Sequence, residues 1–109
     1  MNNGHIVIDH SAADKPGTGF ALSEKNGVRF VFPNGHTVSI VYGATVYSTD
    51  SKGERFKHGE IHEDDHATTV EIAIFDPQGE LVKFKDGDTV KGFATLNDLL
   101  SILNWVSTR

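Results

Sequence analysis

Apolar and polar residues alternate along most of the chain and change period only near its end. Phe20 and Leu22 alternate with Ala21 and Ser23, and Val28, Phe30 and Phe32 alternate with Arg29 and Val31. Residues two apart share one face of a strand, so each run predicts a half-buried strand. Asn26-Gly27 between them predicts a hairpin, because both residues tolerate positive φ. Pro33-Asn34-Gly35 repeats the device and leads into one long strand, His36 to Ser48. Val38, Ile40 and Tyr42 fall on one face of it, Thr37, Ser39 and Val41 on the other, and Gly43 marks a bulge or bend. Strict alternation returns from Thr68 to Phe75, with Val70, Ile72 and Ile74 on the apolar side. Asp76-Pro77-Gln78-Gly79 and Lys85-Asp86-Gly87-Asp88 read as turns, framing strands at Leu81 to Phe84 and Thr89 to Ala94. A further short strand is expected at Ile6-Val7-Ile8.

From residue 95 the period becomes helical. Thr95 is a good N-cap, and Asp98 three residues on completes an Asp version of the capping box. Leu96, Leu99, Leu100, Leu103 and Val106 recur at helical spacing, opposite a polar stripe of Asn97, Ser101, Asn104 and Thr108. The spacing predicts a helix over 95–107 that covers the sheet face carrying Phe30, Ile40 and Ile72, with Trp105 as a packing residue. The expected architecture is α+β, an antiparallel β-meander of about five to seven strands with one C-terminal helix packed on a sheet face. The second face mixes Val31, Val41, Ala73 and Phe75 with Arg29, Ser39 and Glu71, and a half-apolar face of this kind is either ordinary scattered exposure or covered by a long loop, by a second copy in a homodimer, or by a target protein.

A length of 109 residues fits a single domain, 1–109, and no internal repeat is visible. Within it, residues 1–19 read as a mobile N-terminal segment broken by Pro16, Gly17 and Gly19. With no Cys, disulfides, thiolate metal sites and cysteine nucleophiles are excluded. A formal charge of −5 argues against direct nucleic-acid binding, which needs clustered Lys and Arg. The start carries no signal-peptide pattern and no apolar run approaches a membrane span, so a cytoplasmic protein without membrane contact is expected. Gly17-Thr18-Gly19 lacks the Gly-Lys-Ser/Thr ending of a phosphate loop. Asp9-His10-Ser11 holds triad residue types only as sequence neighbours, whereas triads are assembled in space.

Candidate chemistry concentrates in residues 49–67, expected as one long acidic loop bearing His58, His62 and His66, half of all the histidines. From 50 to 66 six acidic residues face Lys52, Arg55 and Lys57, so −3 of the total −5 sits there. His62-Glu63-Asp64-Asp65-His66 matches H-E-x-x-H, which serves zinc proteases because a helix sets both imidazoles on one face beside a general base. Here Gly59 and the acidic spacers argue against such a helix. His58, His62 and His66 stay candidate ligands of a divalent metal, the one cofactor the sequence suggests.

The run Phe32-Pro33-Asn34-Gly35-His36-Thr37-Val38-Ser39-Ile40-Val41-Tyr42-Gly43, followed by Tyr47, resembles the core of a family of small uncharacterised proteins from phages and environmental bacteria. Val70-Glu71-Ile72-Ala73 and Val90-Lys91-Gly92-Phe93 are similar to its later blocks. The resemblance carries no activity with it. It implies a context in which small acidic proteins without an enzyme signature act as inhibitors or sequestering proteins.

Two functions are therefore expected from the sequence. The first is a non-catalytic binding protein, a phage-encoded inhibitor or sequestering protein acting on a bacterial defence or nucleic-acid-handling system in the host cytoplasm. Glu60, Glu63, Asp64, Asp65, Phe56 and Tyr47 would meet a host or bacterial protein, the acidic ones as a nucleic-acid mimic in a basic groove, or a small charged ligand. The second is a small divalent-metal-dependent hydrolase built on His62, Glu63 and His66.

Overall fold

In the computed structural model, residues 4, 6, 16–22, 27–44, 46–56 and 66–109 are described. The alternating runs form six antiparallel strands: β1 Gly19–Leu22, β2 Gly27–Val31, β3 Thr37–Val41, β4 Thr49–Asp50, β5 Ala67–Phe75 and β6 Val90–Ala94. One helix, α1 Leu96–Ser107, follows. The sheet runs β1-β2-β3-β5-β4, with β6 also paired to β5. The fold is α+β, with the helix against one sheet face.

Register puts the apolar sets together. Phe30 faces Val38, which faces Ile74, and Val28 faces Ile40, which faces Ile72. Val38, Ile40, Ile72 and Ile74 are buried with Ala94, Ile102 and Val106, and Phe30, Phe32, Leu99 and Leu103 pack around them. Each of the Val and Ile side chains contributes about 1.5–3 kcal/mol when fully buried. The helix contributes less of its leucine stripe than its spacing suggests. Leu96 is 82% and Leu100 60% exposed, while Ile102, outside the expected stripe, sits at the centre of the contact. A helix on a flat sheet buries a narrow arc, and Leu96 and Leu100 lie beyond it. Trp105 is also only partly a packing residue, with 40% of its surface open.

Four reversals share one five-residue structure. In Phe32–His36, Asp50–Glu54, Asp76–Glu80 and Phe84–Asp88 the first N–H donates to the fifth carbonyl, and the fourth N–H donates to the first carbonyl. The fourth residue is always glycine in the left-handed region: Gly35, Gly53, Gly79 and Gly87, with φ between 79° and 92°. This is a type I turn closed by a glycine bulge. Asp50 and Asp76 lock it from the first position, each Oδ1 accepting the third and fifth N–H. Asn34 and Asp86 lock it from the third position by accepting the fifth N–H.

Several expected boundaries move. The long strand His36 to Ser48 is broken: β3 ends at Val41, and the chain leaves the ladder through Gly43 at φ 136°, open only to glycine. The expected strand at Leu81 to Phe84 keeps a single bridge, Leu81 to Phe75, with the Val82 N–H donating to the Ile74 carbonyl. β1 and β2 pair antiparallel as expected, but with Leu22 facing Val28, and Gly27 belongs to β2 opposite Val41 instead of to a two-residue turn. Residues 23–26 lie outside the described residues, as does most of 1–19, including Val7 and Ile8 of the expected first strand. Ile6 is exposed coil, and Gly19 already belongs to β1. The 49–67 segment is not one loop. Its first residues form β4 and the Asp50 turn, Arg55 bridges back to Thr49, and Ala67 opens β5. On the second sheet face the Arg29 guanidinium lies 5.7 Å from the Phe75 ring. Among the described residues no helix is long and apolar enough to cross a membrane.

Candidate partner-binding site

β5 and β6 fall out of step between Val70, which faces Ala94, and Ile72, which faces Lys91. Glu71 therefore opposes two residues, Gly92 and Phe93, a β-bulge that re-aims the second of them. Phe93 sits at φ 50°, the sole non-glycine residue with positive φ among those described. A bulky residue there costs about 1–2 kcal/mol. Its N–H donates across to the Tyr47 carbonyl at 2.9 Å, and the Tyr47 N–H donates to Glu71 Oε2 at 2.8 Å. Gly92 permits this closeness, since a Cβ on it would stand 2.8 Å from the Tyr47 Cβ.

Tyr47 reaches the bulge on a loop closed by Ser48. The Ser48 hydroxyl, fully buried, accepts the Gly43 N–H at 2.9 Å and donates to the Gly43 carbonyl at 3.1 Å. Arg55 arrives from the other side, on the chain leaving the Asp50 turn. Its guanidinium carbon stands 5.5 Å from the Tyr47 ring centre and 5.4 Å from that of Phe93, and the rings are 5.9 Å apart. Nη2 donates to the Val46 carbonyl at 3.4 Å. Tyr47 is 58% and Phe93 43% exposed. The result is an open triangle of two rings and one cation, offering apolar area, a phenol and guanidinium donors to whatever docks there. A shallow depression of about 560 Å³ runs from it along Gly92 and Lys91 to Asp86 and Asp88.

Of the residues expected to touch a partner, Tyr47 is in this cluster. Phe56 is not available: it is buried, 5.7 Å ring to ring from Tyr42. An aromatic two residues past the Asp50 turn reads as exposed only while the segment is taken for an unstructured loop. Glu60, Glu63, Asp64 and Asp65 lie outside the described residues, as do the candidate metal ligands His58 and His62. His66 is exposed at the entry to β5. Among the described residues no three His, Asp or Glu side chains are grouped to hold a metal ion. Sequence reasoning missed Arg55 and Phe93. The signal for Phe93 is the preceding Gly92 inside an otherwise regular strand, a mark of a bulge or close backbone approach.

Elsewhere one carboxyl is shifted. Asp98 is held below its usual value, first by the Thr95 backbone N–H, against an opposing effect of desolvation, with the Thr95 hydroxyl and then the charge of Lys91 adding to the lowering. That is the capping box of α1 and not an acid-base couple.

Comparisons with protein-family models, with curated proteins and with solved structures find no match. The likeness to the phage and environmental family therefore rests on the quoted motifs alone.

Proposed function

We propose that the chain is a small non-catalytic binding protein that meets a protein partner through Tyr47, Arg55 and Phe93. The supporting observation is Phe93 itself, a bulged phenylalanine at φ 50° whose ring is nearly half open. Folding alone gains little from it, because asparagine or glycine would hold that conformation at lower cost. Backbone strain of this kind is kept where the side chain is needed for a task. Tyr and Arg are also the residue types that dominate binding energy at protein interfaces. The charge of −5 favours a protein over a nucleic acid as the partner. The family resemblance adds a context: an inhibitor or sequestering protein acting in the bacterial cytoplasm on defence or nucleic-acid-handling machinery. The acidic residues Glu60 and Glu63 to Asp65 follow Arg55 closely in the chain and would extend the contact toward a basic groove.

Photo-crosslinking tests this in the producing cells. A benzophenone amino acid at position 47 or 93 is expected to trap one discrete protein, and the same group at the exposed position 96 is not. Trapping should vanish when Arg55→Ala is added. Equal trapping at all three positions, or none at 47 and 93, overturns the proposal.

A further inference from the structure

The helix covers the middle of its sheet face and leaves a groove along each flank. The groove on the β1 side carries no charged residue, running from Phe20 past Phe30 and Phe32 to Leu103, Asn104 and Ser107. The groove on the other flank differs in charge. Its floor is Ile74, Ile102, Val82 and Phe84, its wall is the Trp105 ring, and Lys83 and Lys85 stand on its rim. Both lysines are exposed, and no carboxylate among the described residues pairs with either. In a chain of net charge −5, two exposed lysines on the rim give this apolar groove a cationic edge.

We infer that this groove is a binding site for a small amphipathic organic anion, an aryl or alkyl group ending in a carboxylate, sulfonate or phosphate. Its volume of about 280 Å³ sets the size of the body. A closed apolar cavity of about 150 Å³ takes benzene, so this one accommodates a bicyclic aromatic or a comparable alkyl chain. The body lies on Ile74, Ile102 and Phe84 and against Trp105, where apolar burial drives binding. The charged end stays at the rim, where flexible ammonium groups reach it without the anion being desolvated. A neutral ligand of the same shape gains the first term only, and an inorganic anion only the second. Lysines on an exposed extended segment also serve to block edge-to-edge pairing, and the experiment separates the two roles.

Trp105 is the chain's one tryptophan and lines this groove, so its emission responds to a dye bound there, and the Phe20 variant below separates binding in the opposite groove. The protein is titrated with anilinonaphthalene sulfonate and, in parallel, with the uncharged phenylnaphthylamine. The sulfonate is expected to quench Trp105 with saturation at one dye per chain, and the neutral dye to bind more weakly. The Lys83→Gln/Lys85→Gln variant should raise the half-saturation concentration about tenfold, the size of one charge-assisted contact. Lys83→Arg/Lys85→Arg should restore it, and Phe20→Ala on the opposite flank should leave it unchanged. Dye emission without Trp105 quenching, equal affinity of the two dyes, or an unchanged half-saturation in the double Gln variant overturns the inference and leaves the lysines as edge guards.

Discussion

The Asn34 side chain donates from Nδ2 to the Val106 carbonyl at 2.7 Å, across 72 residues of chain. It reaches the Arg109 carbonyl at 3.4 Å as well. The last carbonyls of a helix have no partner within it, and α1 carries no basic residue in its last turn. A turn residue from the β2–β3 hairpin therefore caps the helix. The same side chain accepts the His36 N–H through Oδ1, so one amide holds both the turn and the docked helix end. Asn34→Ala is expected to destabilise the protein by about 1–2 kcal/mol, a melting-temperature drop of roughly 4–15 °C. Asn34→Asp keeps the turn acceptor but sets a negative charge against carbonyl oxygens, and should cost at least as much. Thermal unfolding of both variants checks this; a harmless Asp variant would show that the turn bond alone matters.

The repeated turns give an internal control for glycine. A Cβ on Gly35 would stand 3.0 Å from the Pro77 Cβ, whereas one on Gly79 meets nothing within 4 Å. Both carry positive φ, so both Ala variants lose about 1 kcal/mol or more to conformation. Only Gly35→Ala adds a steric cost, and it should be the less stable of the two in urea.

Ser48→Ala removes the acceptor of the Gly43 N–H in a site without solvent, and one of the two donors to the Gly43 carbonyl, which keeps the Val46 N–H at 3.4 Å. Leaving the buried N–H unpaired costs about 1–3 kcal/mol. Because the 43–48 loop carries Tyr47, crosslinking from position 47 should fall with stability.

Phe93→Asn relieves the left-handed strain and gives up the contacts of a ring that is nearly half exposed. Stability should stay within about 1 kcal/mol of the parent, or rise. Partner trapping from position 47 should be lost nonetheless. A drop in stability above about 2 kcal/mol would mark the ring as structural instead.

Asp98 makes acid stability specific. Its carboxyl is depressed on folding, so the stabilisation it brings is present in full above its unfolded value of 3.8 and fades as pH falls through the folded value. The stability difference between the parent and Asp98→Asn should therefore shrink between about pH 5 and pH 2. Denaturation midpoints across that range test it. A difference that stays constant would mean the Asp98 charge plays no part in the cap.

Local signals carried much of the fold. Alternation at Val28–Phe32, Val38–Ile40 and Val70–Ile74 specified strands and their inward faces, because a pleated strand has only two faces and water penalises the wrong one. Thr95 and Asp98 specified the helix start, since their bonds close within three residues. Three of the four glycine turns were legible for the same reason. Where the reading failed, the deciding contact was distant. Nothing between His36 and Ser48 shows that Ser48 folds back on Gly43, or that Phe56 packs on Tyr42.

The sequence by itself therefore determined an α+β domain with an antiparallel sheet, its inward face, its capped helix and the absence of cysteine chemistry. Only the tertiary structure decided where its aromatic and cationic groups meet. Tyr47, Arg55 and Phe93 come together because a register shift opposite Glu71 turns one residue out of the ladder. Lys83, Lys85 and Trp105 come together because the helix crosses the sheet at one angle and not another. Periodicity encodes which side of an element is buried, a property of neighbours in the chain. A bulge partner or a groove rim depends on separations of tens of residues, and packing alone sets those.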